Sequence, residues 1–277
     1  MTGRLGVWLA FLYAAMATTY LPGQEGEPQE VSRPKLTLFV PAYSYPAGSG
    51  LRFWDELIAA ADRVPIIAIA NPASGPGDNR DENYSTVLER AKRAGVRLIG
   101  YVRTDYARRK IGDVNLEVDR WTTLYPMIEG IFFDEQSSDR KQVEYYTALS
   151  THARAKISNA IIASNPGTDC AKEYVASQAF DVICIFESGR DYDGFRMPEW
   201  GTPTGKTQFA ALPYGVTEAD VAQRHLQQAE SKGISYIYVT HDALPNPWDE
   251  LASYWEREVT AVRDINAANP PGSSEVH

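Results

Sequence analysis

Thiol and imidazole chemistry is scarce in this chain of 277 residues, which has two cysteines and four histidines. None of His152, His225, His241 and His277 stands in HExxH or another tight ligand spacing, so neither a metal nor any other cofactor is expected. No GxSxG elbow is present, and neither Cys170 nor Cys184 has a paired-histidine context, which removes serine and cysteine nucleophiles. No glycine-rich dinucleotide fingerprint follows the first strand-like run. The segment Asn71-Pro72-Ala73-Ser74-Gly75-Pro76-Gly77 is no phosphate cradle either, because its prolines remove backbone donors and no Lys-Ser/Thr pair follows; it reads as a rigid rim loop. Positive charge is also short: 27 Lys and Arg against 36 Asp and Glu give a net charge of −9, which argues against a nucleic-acid partner.

The apolar run Leu5 to Met16 falls short of the roughly 18 to 20 residues needed to span a bilayer. With Arg4 before it and Ala15-Met16-Ala17 behind, residues 1–19 read as a secretory signal peptide, the alternative being an uncleaved N-terminal anchor. The Pro/Gly-containing stretch 20–34 reads as a linker and 267–277 as a flexible tail. These assignments predict an extracellular protein with no stable membrane association after cleavage. The separation of the two cysteines permits a disulfide in such a compartment, and the strand-like setting of Cys184 equally permits a buried thiol.

What remains, 35–266, alternates strand-like and helix-like patterns without interruption, the mark of parallel βα units. Eight strand-like runs occur: Leu36 to Val40, Val64 to Ala70, Val96 to Val102, Gly130 to Phe133, Ala160 to Ser164, Val182 to Phe186, Thr207 to Leu212 and Ile234 to Val239. Amphipathic patterns lie between them at Tyr84 to Ala94, Val114 to Tyr125, Val143 to Ile157, Ala219 to Lys232 and Trp248 to Ile265. Gly95 and Gly233 stand where helix C-caps belong, and Ser137-Ser138 and Thr217 where N-caps belong. The Gly/Pro-rich segment Ser188 to Gly205 has no helical period and is expected to border the site as a loop. The pattern predicts a single-domain α/β fold, a (β/α)8 TIM barrel, with a doubly wound sheet as the alternative.

Charge at the ends of buried strands is the informative feature. Ile131-Phe132-Phe133 runs into Asp134-Glu135, and Val182-Ile183-Cys184-Ile185-Phe186 runs into Glu187. Removing a carboxylate from water costs several kcal/mol, roughly, unless it is paired, hydrogen-bonded or protonated. Acids delivered by two strand tips fit a two-carboxylate glycosidase, in which about 5 to 5.5 Å between carboxyls implies retention and about 6.5 to 9.5 Å inversion; the sequence leaves both open. A plainer reading makes Asp134 and Glu135 partners of Arg103, Arg108 or Arg140, or caps of the next helix. Arg108-Arg109-Lys110 reads as a solvated surface cluster. Tyr43, Asn71, Tyr101, Asn165, Tyr214 and His241 fall at other predicted strand tips and are candidate sugar contacts.

Taken in order, Val40-Pro41-Ala42-Tyr43, Asn71-Pro72 with Ser74-Gly75-Pro76-Gly77, Leu98-Ile99-Gly100-Tyr101-Val102, Gly130-Ile131-Phe132-Phe133-Asp134-Glu135 and Ser164-Asn165-Pro166-Gly167 make the chain resemble the spherulin-4-like family. That family includes secreted glycoside hydrolases acting on galactosamine-containing exopolysaccharides such as galactosaminogalactan. The resemblance implies a (β/α)8 barrel with an acidic groove and a catalytic set of Asp134, Glu135 and Glu187. It also implies endo-cleavage of α-1,4-linked N-acetylgalactosamine stretches, with a polysaccharide as partner and the chain acting as a monomer. Asp134 is the expected nucleophile or stabiliser, Glu187 the acid/base, and Glu135 the neighbour that sets charge. In a substrate-assisted variant the 2-acetamido oxygen attacks, Asp134 orients it and Glu135 protonates the leaving group. Two other classes stay open: a carbohydrate-binding pseudoenzyme, and a metal-assisted lyase or isomerase using Asp134, Glu135 and His241.

Overall fold

The computed structural model describes residues 35–201 and 207–268; the expected signal peptide, linker and most of the expected tail lie outside them. Within this range the strands are β1 (Thr37–Ala42), β2 (Ile66–Ala70), β3 (Arg97–Arg103), β4 (Gly130–Asp134), β5 (Ile161–Ser164), β6 (Val182–Ser188), β7 (Gln208–Pro213) and β8 (Tyr236–Ile237). Each pairs in parallel with the next, and β8 returns to β1, closing the barrel. The helices are α1 (Gly50–Ala60), α2 (Glu82–Ala94), α3 (Ile111–Leu124), α4 (Val143–Lys156), α5 (Glu173–Ala176), α6 (Ala219–Gln228) and α7 (Trp255–Ala268). Among the described residues no helix is long and apolar enough to cross a membrane.

The strands are continuous apolar runs because both faces are covered, by the barrel interior on one side and by helices on the other. Phe39 meets Phe132 edge to face across the interior, with centroids 5.9 Å apart. On the outer side, α3 lays Trp121 against the backbone of β3. A Cβ on Gly100 would sit 2.5 Å from the indole carbons, so only glycine allows this approach. The same indole N–H donates to the carbonyl of Tyr101 at 2.9 Å, which fixes the strand where Tyr101 projects. α2 starts at Asp81, whose side chain accepts from the Tyr84 N–H, and ends at Gly95 in the left-handed region; such a cap contributes about 1 kcal/mol.

Several local expectations are corrected. α1, absent from the sequence reading, forms because Phe53, Trp54, Leu57 and Ala60 share one buried face, and its Trp54 N–H holds the Ser44 carbonyl at 2.8 Å, pinning the loop after β1. The last helix begins at Trp255 rather than Trp248, since backbone groups that a helix would use bond elsewhere: the Trp248 carbonyl accepts from the Tyr43 N–H, and the Ala252 and Ser253 N–H groups donate to the Tyr238 hydroxyl and His241 Nδ1. The cap before α4 is Asp139, which accepts from the Lys141 N–H of a short 3₁₀ turn, and Glu218 rather than Thr217 occupies the N-cap of α6. Among the described residues no helix interrupts Gly189 to Gly201, as the loop reading expects. Cys170 and Cys184 are buried free thiols and form no disulfide.

Candidate active site

Asp134 is the last residue of β4, paired in register with Arg103 of β3. Immediately beyond it Glu135 takes φ +52°, a left-handed conformation that costs a non-glycine residue of order 1–3 kcal/mol. The turn is held from beneath. The Thr104 hydroxyl sits 2.8 and 2.9 Å from the carbonyls of Asp134 and Glu135 and 2.9 Å from the Tyr146 hydroxyl, while the Tyr106 N–H donates to the Glu135 carbonyl. The two adjacent carboxylates are thereby sent apart. Asp134 stays in the mouth, and Glu135 goes to the rim, where its Oε2 lies 3.6 Å from the Arg103 Nε. The ion-pair reading thus applies to Glu135 and not to Asp134.

Glu187 reaches the same mouth through an irregularity in β6. Regular alternation would put Cys184 and Glu187 on opposite faces, but a bulge between Cys184 and Phe186 shifts the register against β7. Both side chains consequently neighbour Tyr43, whose ionisation burial and the charges of Asp134 and Glu187 oppose. Bulges commonly re-aim a side chain in this way.

Asn165, at the tip of the intervening β5, joins the two acids. Its Nδ2 donates to Asp134 Oδ1 at 2.8 Å and to Glu187 Oε2 at 2.5 Å, so these oxygens cannot be more than about 5.3 Å apart. The amide has little freedom, because Asn165 is buried and its backbone bonds to the Phe133 carbonyl and the Gln136 N–H. Tyr101 closes the other side, its hydroxyl donating to Asp134 Oδ2 at 2.9 Å.

Burial raises the proton affinity of both acids, against different sets of donors. Burial raises Asp134, but the Glu135 backbone N–H, the Tyr101 and Asn165 donors and Arg103 all favour its charged form. Glu187 has fewer opposing partners. Burial, with the charge of Asp134 added, pushes it up to about 7, resisted by Asn165 and by the indole of Trp248. With a value of about 7, Glu187 can hold or release a proton near neutrality, as an acid/base residue requires. Glu135 is raised by its own burial, with Arg103 opposing.

The other candidate contacts divide. Tyr43 packs edge-on to Tyr101 with centroids 5.7 Å apart, and Tyr214 lies against Gly189 and edge-on to Trp248, so both border the mouth. Asn71 is engaged within its own rim loop, Oδ1 accepting from the Gly75 N–H at 2.8 Å. His241 is turned elsewhere: its Nδ1 accepts from the Ser253 N–H, and it lines a cleft of about 770 Å³ with Ser44, Phe53, Arg63 and Asp249. It has no described contact with Asp134, Glu135 or Glu187. Among the described residues no group of three or more His, Cys, Asp or Glu is arranged to hold a metal ion. Arg109 corrects the solvated-cluster reading, since it bonds Glu117 at 2.5 Å and the Arg103 carbonyl. Trp248 and Thr104 were not legible as site residues, although the prolines flanking Asn246 signal that Trp248 belongs to a βα loop on the catalytic face.

A closed (β/α)8 barrel with acids converging from its fourth and sixth strand tips is an architecture on which glycoside hydrolases are built. Residues 37–262 match the model of spherulation-specific family 4, and the chain belongs to that family. It is 31% identical over 278 residues to Spherulin-4 of Physarum polycephalum, covering 95% of this chain and 80% of that protein. Among solved structures it is similar to Sph3 of Aspergillus clavatus in complex with GalNAc, with 25% identity, a TM-score of 0.68, and coverage of 83% of this chain and 98% of the other. A chitinase domain from Pyrococcus furiosus shares the fold at 10% identity, with a TM-score of 0.56 over 90% of this chain and 100% of that one.

Proposed function

We propose that this chain is a secreted, monomeric glycoside hydrolase that cleaves within α-1,4-linked N-acetylgalactosamine or galactosamine stretches of an exopolysaccharide. One observation carries the reading: a single buried amide bridges two buried carboxylates, whose bridged oxygens lie no more than about 5.3 Å apart. That separation suits retention and is too short to house a water between the acids. The likeness to a GalNAc-bound structure supports the substrate class.

In the proposed reaction an Asp134 oxygen attacks the anomeric carbon as the glycosidic C–O bond breaks, and Glu187 gives its proton to the leaving oxygen. A glycosyl ester on Asp134 results. Glu187, now charged, takes a proton from a water whose oxygen attacks the same carbon, releasing the new reducing end and restoring both acids. Arg103 beside Glu135 favours that residue's charged form, which suits Glu187 better than Glu135 as the proton donor. The test is incubation with galactosamine-rich, glucosamine-rich and neutral polysaccharides, scoring reducing ends beside E187Q. New ends from the galactosamine-rich polymer alone, absent in E187Q, are expected. Absence of turnover on every amino-sugar polymer, with binding unchanged in D134N and E187Q, would instead make the chain a binding protein.

A further inference from the structure

We propose that the cleft between α1 and the β8–α7 loop is a second glycan site, which takes a hexosamine carrying a free ammonium from the part of the polymer that extends beyond the barrel mouth. The inference rests on the amino-sugar polymer reading given above and adds a site that includes none of Asp134, Asn165 and Glu187.

The cleft and the mouth share one wall. Tyr43, just after β1, donates its N–H to the Trp248 carbonyl at 3.2 Å, and the rings of these two residues pack on the mouth side against Tyr101 and Tyr214. The residues that follow them, Ser44 and Asp249, line the cleft. A polymer cut at an interior bond extends past the mouth, and over this wall its next residues meet the cleft. The volume of about 770 Å³ falls within the roughly 300–1,000 Å³ of small-molecule sites.

Its polar groups suit hydroxyls and a cation together. Ser44 is 6% exposed; its carbonyl holds the Trp54 indole, while its hydroxyl has no hydrogen-bond partner among the described residues. His241 Nδ1 accepts from the Ser253 N–H at 3.3 Å, which leaves Nε2 of the neutral ring as a donor. Phe53 and Trp255, each 5% exposed, supply an apolar floor. Of the four carboxylates and two guanidiniums that line the cleft, Arg52 pairs with Glu56 and Arg63 with Glu256. Asp249 and Glu250 are left without a cationic partner among the described residues. Partial burial and neighbouring Asp242, with Glu250 adding charge, raise Asp249, a crowding that a bound cation relieves. These acids repel phosphorylated sugars and nucleotides, and a neutral sugar would leave both unpaired. Hydroxyl partners, an apolar floor and two unpaired acids together describe a site for an ammonium-bearing sugar.

The test is calorimetric binding of an α-1,4-linked galactosamine oligosaccharide, and of its fully N-acetylated form, to the full chain carrying E187Q, with and without Asp249→Asn and Glu250→Gln. Both acids are exposed, so their replacement leaves the fold intact. The free-amine oligosaccharide should bind the triple variant about five- to tenfold more weakly than E187Q, and the difference should shrink as salt rises from about 0.05 to about 0.5 M. The N-acetylated form should bind both proteins alike. In ¹⁵N spectra galactosamine itself should move the imidazole of His241, one of four histidines, assigned by its loss in H241Q. Equal binding of the amine form by both proteins, an equal fall for the acetylated form, or a His241 imidazole indifferent to galactosamine would overturn the proposal. So would a lysine oligomer of the same charge that binds E187Q as tightly as the amino sugar. Binding is scored without turnover, so its failure stands apart from failure of the hydrolase reading, which shows as absence of new reducing ends in the parent chain.

Discussion

Replacing Glu187 with Gln should make the protein more stable, and by an amount that depends on pH. In the folded chain Glu187 is raised from 4.5 to about 7 by burial and by the charge of Asp134, whereas in the unfolded chain it returns to the ordinary range. Below about pH 4 the carboxyl is protonated in both states and contributes no difference. As pH rises through the unfolded value, the unfolded chain releases its proton first, so the folded state loses ground until Glu187 itself ionises near pH 7. At about 1.4 kcal/mol per pH unit, this interval amounts to a ceiling of about 3 kcal/mol, and partial solvent access and coupling to Asp134 reduce it to about 2 kcal/mol. Gln keeps an oxygen for the Asn165 amide and carries no charge. E187Q should therefore match the parent near pH 4 and exceed it by about 2 kcal/mol at pH 8, which is about 4–8 °C in Tm for a domain of this size. Urea unfolding of both proteins from pH 4 to 8 measures it. A stability difference that stays flat across this range, or a variant less stable than the parent at pH 8, would refute the placement of a strained, proton-holding acid at the tip of β6.

Asn165→Ala should remove the donor shared by both acids. Since a hydrogen bond to a charged group contributes about 1.5–3 kcal/mol, kcat should fall about 10- to 100-fold, and because that donor lowers both acids, both limbs of the pH–rate profile should move upward; unchanged limbs would detach the amide from the acids. Gly100→Ala places a Cβ 2.5 Å from Trp121 and should cost about 1–3 kcal/mol in chemical denaturation by overpacking, with lowered turnover because the same contact sets Tyr101; a neutral result would mean that α3 can retreat.

The barrel was legible because βα periodicity and apolar strand runs follow directly from burial on two faces, as in Ile131-Phe132-Phe133 and Val182-Ile183-Cys184. Legible too was the meeting of acids from two strand tips, since charge after such runs needs a partner or a task. The division between Asp134 and Glu135 was less accessible: it depends on a left-handed turn held by Thr104 and Tyr146, a tertiary arrangement that strand alternation does not report. Likewise the β6 bulge decides where Glu187 points, and nothing in the local sequence marks it. Asn165 stands out as a polar residue at a strand tip, yet only the fold shows its amide spanning two carboxylates. Trp248 has the spacing of a helix start because apolar residues recur after it, and only the fold shows its carbonyl bonded to the Tyr43 N–H in a loop ahead of the helix. His241 shows the converse: position after a strand does not fix where a side chain turns, and this one bonds the Ser253 N–H and lines another cleft.

The stereochemistry of the first product tests most directly whether Asp134 and Glu187 act together across one glycosidic oxygen. Proton NMR of fresh digests of an α-1,4-linked galactosamine polymer should show the α-anomer appearing first and mutarotating later, with no signal from D134N or E187Q. Initial release of the β-anomer would mean a water stands between the acids, contradicting the bridged pair.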